Sequence, residues 1–203
     1  MGDNMKKVRI AVLVSGGGAN LQALLDAQAA GKISHGEIVL VVSNKEGAYA
    51  LTRAEKAGVE SATLLKKELG AEGFEQALMT LLAEKQIDLI VLAGFLAILS
   101  EKFTKAYEKR IINVHPSLIP AFCGKGYYGL KVHEAALSYG VKVTGATVHF
   151  VNEVPDGGEI ILQKAVYIEE GDTPEVLQRR VMEQAEWQIL PEAVEKVCKT
   201  LSE

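Results

Sequence analysis

Cysteine is nearly missing from this chain: Cys123 and Cys198 are the only two in 203 residues, and they form no CxxC pair. That spacing excludes a disulfide framework and a cysteine zinc site, and it fits a reducing, cytoplasmic setting. Basic blocks are missing too. Lys and Arg number 22 against 26 Asp and Glu, for a formal net charge of −4. The basic stripe of a nucleic-acid binder is therefore absent, and no nucleic-acid partner is expected. No apolar run reaches the length of a membrane span. The run Val8–Val14 contains Arg9, ends in glycines and lacks a signal-peptide cleavage pattern, so no membrane association is expected. Residues 1–4 read as a loose start. The chain has no internal repeat, linker or low-complexity stretch, and its length suits one domain with a substantial core.

What is present alternates between strand and helix. Val8–Val14 reads as a buried strand, and residues 15–19 as a glycine loop. Asn20 is the expected cap of a helix over residues 21–30. Strand 37–43, helix 48–57, short strand 59–64, helix 73–85 and buried strand 88–93 follow. Apolar strands joined by helical crossovers predict an α/β fold: a Rossmann-like, mostly parallel twisted sheet flanked by helices. The second half reads as helix 100–109, strand 110–114, a loop over residues 115–130 and helix 131–139. Strands 143–151 and 159–168 flank Pro155-Asp156-Gly157-Gly158 and predict an antiparallel addition. A last helix starts at Thr173-Pro174 and runs to Lys199, with an interruption expected near Pro191.

The glycine loop Ser15-Gly16-Gly17-Gly18-Ala19-Asn20 lies between a strand and a helix, where backbone N–H groups and a helix N-terminus can hold a phosphate. It lacks the Lys-Ser/Thr pair of a P-loop, which argues against an NTPase. A dinucleotide fingerprint needs glycine where Leu21 stands. The second strand ends in Ser43-Asn44-Lys45 without a ribose-binding acid, although Lys45 suits an NADP phosphate. Phosphate-monoester binding and a plain tight turn both remain open here.

Asn113-Val114-His115-Pro116-Ser117 ends a strand. Residues two apart on a strand face the same way, so Asn113 and His115 project together from its carboxyl end, where open α/β sheets bind ligands. Asp156 sits in a second polar turn, where an acid also commonly caps its own backbone. Together the three suit acyl transfer to an amine. Asn113 and a protonated His115 can stabilise a tetrahedral oxyanion, Asp156 can stabilise the imidazolium, and the pair can move the amine proton to the leaving group. No metal-ligand motif accompanies them.

At these residues the sequence resembles the phosphoribosylglycinamide formyltransferases (glycinamide ribonucleotide transformylases), members of the folate-dependent formyltransferases. The resemblance rests on Val12–Ala23 (VLVSGGGANLQA), VSNK at 42–45, DLIVLAGFLAILS at 88–100, INVHPSLIP at 112–120, GATVHFV at 145–151, Asp156-Gly157-Gly158 and Ile161-Leu162-Gln163. It implies formyl transfer from 10-formyltetrahydrofolate as co-substrate to glycinamide ribonucleotide in purine biosynthesis. It further implies that Asn113, His115 and Asp156 are catalytic, and that Gly18, Ala19, Asn20, Glu183 and Glu186 bind the ribonucleotide. Leu96, Ala97, Ile98, Leu99, Asn113, Asn152, Glu153, Val154, Pro155 and Asp156 would line the folate site, with Thr147 and His149 in support. Residues 1–100 then form the phosphate-binding half and residues 101–203 the catalytic and folate-binding half of one domain. Small-molecule substrates are the implied partners, in a monomer or homodimer.

Five positions depart from the family's habit, one of them near Ala71, where many members carry a basic residue and the nearest here are Lys66 and Lys67. Ala19 replaces a usual Ser or Thr, Ala97 a frequent Arg, Glu183 a frequent Gln or Lys, and Glu159 a usual Pro. The loop at residues 121–129 (AFCGKGYYG) is longer than in some members and is expected to form a flap near the site. His133 reads either as facing the site or as a helix-start surface residue, His35 as a loop residue, Trp187 as packing and Cys123 as a bystander. A formyltetrahydrofolate hydrolase shares the trio but carries an extra N-terminal domain and a different first loop. A tRNA formyltransferase needs a further C-terminal domain and a basic surface. The reading of another class is an NADP-binding reductase or a nucleotide-binding module.

Overall fold

The computed structural model describes residues 6–203, so the expected loose start at residues 1–4 lies outside it. Five strands run in parallel: β1 (Val8–Val14), β2 (Gly36–Ser43), β3 (Glu60–Thr63), β4 (Leu89–Leu92) and β5 (Ile111–His115). Two more, β6 (Val143–Phe150) and β7 (Ile160–Tyr167), continue the same sheet in antiparallel fashion, giving the order β3-β2-β1-β4-β5-β6-β7. The expected α/β architecture with its antiparallel addition is therefore present.

Both faces of the sheet are covered, which is why its central strand β4 is apolar and buried throughout. Ile10, Val12 and Val14 of β1 face one core with α1 (Ala19–Ala29), α2 (Tyr49–Lys56) and the C-terminal helices. Ala11 and Leu13 face the other core, with Phe74, Leu78 and Leu82 of α3 (Lys66–Glu84) and Phe103 of α4 (Glu101–Ala106). The helix expected over residues 73–85 starts earlier, at Lys66, with a break at Gly70, whose φ of 70° interrupts the helical backbone.

β2 and β3 extend from one side of β1 and β4 and β5 from the other. The carboxyl ends of β1 and β4 thus flank a topological switch point, the crevice where such sheets bind ligands. Antiparallel pairing sets Asn113 opposite His149 and His115 opposite Thr147. A register shift between Val148 and His149 in the β6–β7 pairing places an irregularity beside these residues, a frequent device for aiming side chains.

α5 (Leu130–Tyr139), α6 (Pro174–Val181, capped by Thr173) and α7 (Trp187–Ser202) complete the chain. The interruption expected near Pro191 lies upstream of it. Met182–Glu186 forms a π-turn between α6 and α7, and Pro191 sits inside α7. A proline removes one N–H and crowds the carbonyl four residues back, here that of Trp187, the residue after the π-turn. π-turns recur at functional sites, and this one carries Glu183 and Glu186.

Candidate active site

The glycine loop leaves β1 at its carboxyl end and enters α1 through Gly18. Gly18, and not Asn20, is the helix N-cap, with φ 75°. A Cβ at Gly18 would lie 2.7 Å from that of Ala50, so only glycine fits this close approach to α2. Asn20 sits in the first helical turn, and its side chain reaches across 166 residues to donate from Nδ2 to Glu186 Oε1 at 3.2 Å. Glu186 is 4% exposed. Burial, partly offset by the Asn20 hydrogen bond, pushes its carboxyl up to about 7. Glu186 Oε2 and Asn20 Oδ1 are buried without a partner among the described residues. Unsatisfied acceptors on two side chains that hydrogen-bond each other suit a ligand bearing hydroxyl or amine donors. Glu183 turns elsewhere: its carboxylate pairs with Arg179 Nε at 2.7 Å, so its charge is compensated within one helical turn.

The trio meets at the carboxyl end of β5. Asp156 Oδ2 lies 3.6 Å from His115 Nδ1, and Asp156 Oδ1 lies 3.7 Å from His149 Nε2. Burial pushes the Asp156 carboxyl up. The facing His149, the His115 charge and the Gly124 N–H together outweigh burial and hold it below the ordinary carboxylate value. The turn around Asp156 is not self-capped. Its carboxylate accepts from Gly124 N at 2.8 Å, and Asn152 makes the local turn by accepting from Val154 N at 2.9 Å. Asp156 itself adopts φ 56°, a left-handed conformation that aspartate tolerates better than most residues. At Gly158 a Cβ would stand 1.7 Å from the Phe150 carbonyl oxygen, so the turn needs glycine there.

Hydrogen-bond partners set the imidazole tautomers. His149 Nδ1–H donates to the Phe150 carbonyl at 2.8 Å, leaving Nε2 to accept from Asn113 Nδ2 at 3.2 Å. His115 Nε2–H donates to the Phe122 carbonyl at 2.8 Å, leaving Nδ1 facing Asp156. The loop over residues 116–129 thus touches both His115 and Asp156. It is braced by Thr147, whose Oγ1 donates to the Ser117 carbonyl at 2.7 Å and accepts from Ile119 N at 3.1 Å. Ser117, which sequence reasoning passed over, is fully buried and donates to the Ala121 carbonyl at 2.6 Å.

The Leu96–Leu99 segment follows β4. Its Leu96 N–H donates to Ser15 Oγ at 2.9 Å, tying it to the first residue of the glycine loop. Leu96 and Ile98 are exposed and Leu99 is buried. Ile98 and Leu99 line a cavity of about 370 Å³ with Phe74, Met79, Lys66 and Lys102, and none of the trio lines it. Asn152, Glu153, Val154 and Pro155 form an exposed turn leading into Asp156.

His133 is neither a surface residue nor a hydrogen-bonded core histidine. It is 1% exposed, and neither ring nitrogen has a partner among the described residues. Burial and the nearby His115 charge push it down to about 4, so its ring is neutral at ordinary pH. Cys123 donates to the Pro120 carbonyl at 3.3 Å, and burial pushes its thiol up, as suits a bystander. No helix among the described residues is long and apolar enough to cross a membrane.

The formyl transferase family profile matches residues 8–194. The chain is 44% identical over 188 residues to the phosphoribosylglycinamide formyltransferase of Haemophilus influenzae, covering 92% of this chain and 84% of that protein. It is 46% identical over 193 residues to the trifunctional purine biosynthetic protein adenosine-3 of Gallus gallus, covering 95% of this chain but only 18% of that protein. Among solved structures, glycinamide ribonucleotide transformylase 1 from Symbiobacterium toebii superimposes with a TM-score of 0.89 at 42% identity, covering 96% of this chain and 89% of that one.

Proposed function

Since the chain belongs to the formyl transferase family, among the phosphoribosylglycinamide formyltransferases, we propose that it transfers a formyl group from 10-formyltetrahydrofolate to the amine of glycinamide ribonucleotide. The observation that carries this reading is the Asn113–His115–Asp156 cluster beside the switch-point crevice.

Each residue has a chemical task there. Asn113 spends one amide N–H on His149 and has a second for the oxygen of the tetrahedral intermediate. Asp156, held ionised, stabilises positive charge on His115, and that imidazolium stabilises the same oxyanion. A C–N bond forms between the substrate amine and the formyl carbon. The bond from that carbon to the folate nitrogen breaks, and the proton the amine loses passes to that nitrogen through the His115–Asp156 pair. No nucleophilic side chain is consumed.

On the ribonucleotide side, Gly18, Ala19 and the loop N–H groups meet the phosphate, and Asn20 and Glu186 offer their unpaired acceptors to the ribose hydroxyls. The Arg179 pairing keeps Glu183 compatible with a nearby phosphate. On the folate side, the exposed apolar Leu96 and Ile98, with Ala97, Leu99 and the turn from Asn152 to Asp156, line the opposite wall. This division assigns the phosphate to residues 1–100 and the formyl donor and chemistry mainly to residues 101–203. A cytosolic setting agrees with the two unpaired thiols.

The test is deformylation of a 10-formylfolate donor followed spectrophotometrically, with and without glycinamide ribonucleotide. The expected result is turnover that requires the ribonucleotide and falls at least about 100-fold in His115→Ala. Formate release without the ribonucleotide would instead mark a hydrolase.

A further inference from the structure

The glycine loop is seated on α2. The Gly16 carbonyl accepts from Ala50 N at 3.1 Å, and the Gly17 carbonyl accepts from Arg53 Nε at 2.7 Å. The same guanidinium donates from NH1 to Gln22 Oε1 in α1 at 3.1 Å and lies 4.8 Å over the Tyr49 ring. Arg53 therefore fastens the loop, α1 and α2 with one rigid fork.

A trans peptide points its C=O and its N–H in opposite directions. Tying the carbonyls of Gly16 and Gly17 to α2 turns the following N–H groups, those of Gly17 and Gly18, away from α2 and toward the open side. Neither N–H meets an acceptor among the described residues. A Cβ at Gly16 or Gly17 would meet nothing within 4 Å, so the loop is uncrowded at both positions. Successive N–H groups turned the same way make an anion-binding concavity. An independent sign of a ligand lies at Asn20, two residues after Gly18, whose hydrogen-bond partner Glu186 is 4% exposed and has no partner for Oε2 among the described residues.

We propose that Arg53 is a positioning residue for the substrate phosphate, holding the Gly17 carbonyl so that the Gly17 and Gly18 N–H groups face the phosphate. This rests on the phosphoribosyl reading above and goes beyond it, because no loop side chain is assigned to the task. It accounts for Ala19. With the backbone donors set from behind by Arg53, and a positive charge behind them, a hydroxyl at position 19 is dispensable.

The experiment needs no turnover. The ¹⁵N-labelled full chain is titrated with ribose 5-phosphate, and the Gly17 and Gly18 amide signals are followed in wild type, Arg53→Met and Arg53→Lys. The Met variant keeps the stem and removes the donor; the Lys variant restores a charge and one donor. Arg53→Met weakens binding about tenfold, as loss of a hydrogen bond to a charged group implies, and Arg53→Lys recovers part of it. In the transfer assay, KM for the ribonucleotide rises by a similar factor in Arg53→Met, while kcat and the folate KM stay within about twofold. The proposal is overturned by wild-type Gly17 and Gly18 signals that ignore ribose 5-phosphate, by unchanged affinity in Arg53→Met, or by kcat and both KM values moving together. Lack of ribonucleotide-dependent transfer in wild type would overturn the activity reading alone, since the titration judges Arg53 by itself.

Discussion

At the scale of single residues, Glu186 and Asn20 show how a polar pair can be left incomplete on purpose. Each satisfies half of the other and leaves one acceptor buried without a donor. Such a gap costs stability unless a ligand closes it. Because burial pushes Glu186 up to about 7, its charge changes across neutral pH. Hydroxyl donors favour the ionised carboxylate, so the ribonucleotide is expected to bind more tightly as pH rises from about 6 to 8. KM measured against pH checks this, with Glu186→Gln predicted to flatten the ribose-linked part of the profile. A profile that keeps its full slope in the variant would remove Glu186 from the binding account.

At the scale of elements, the loop over residues 116–129 binds the trio through its backbone. The Phe122 carbonyl takes His115 Nε2–H, and the Gly124 N–H meets Asp156. Gly124 has φ 88°, where an L side chain is strained by about 1–2 kcal/mol. Gly124→Ala is therefore expected to displace the N–H from Asp156 and lower kcat by roughly tenfold, as loss of a hydrogen bond to a charged group implies. The melting temperature should fall by about 2–8 °C, as 1–2 kcal/mol of strain implies for a chain of this size. Steady-state kinetics beside calorimetry reads both, and an unaltered kcat would show that the loop does not set the Asp156 carboxylate. The π-turn Met182–Glu186 acts at the same scale, presenting Glu186 inward and Glu183 to Arg179 within one irregular turn.

At the scale of the whole molecule, two buried titrating groups pull stability in opposite directions. Glu186 binds its proton more tightly folded than unfolded, so its contribution is present below its unfolded value of 4.5 and is lost as pH rises through about 7. His133 does the reverse. With its folded value pushed down to about 4 from 6.5, the unfolded chain takes the proton first, and stability falls as pH drops through that window. Between about pH 4.5 and 6.5 the two slopes oppose each other. Glu186→Gln is expected to expose the His133 slope, with the melting temperature rising more steeply with pH. His133→Asn is expected to expose the Glu186 slope, of opposite sign. Thermal melts of the three proteins across pH 4.5–7 decide it, and parallel curves would mean that neither group titrates as its surroundings imply.

Local physics made much of this molecule readable from its residues. Continuous apolar strands, such as Leu89–Leu92, have to be covered on both faces, and that requirement implies a parallel sheet with helices on each side. The strand-end placement of Asn113 and His115 follows from a period of two, and the phosphate-ready loop from three glycines before a helix. What folding decided depends on separations in sequence that no local pattern encodes. The Asn20–Glu186 hydrogen bond spans 166 residues, and the Gly124–Asp156 bond spans 32. Nothing local to Arg53 marks it out, and only the packing of α2 against the glycine loop supplies Gly17 as its partner. His133 reads either as facing the site or as a helix-start surface residue until folding buries it to 1% exposure, and Asn20 reads as a cap until Gly18 takes that position. Periodicity and turn chemistry report what a segment does along its own length. Partners, burial and the titration of buried groups are set by which segments the sheet order brings face to face.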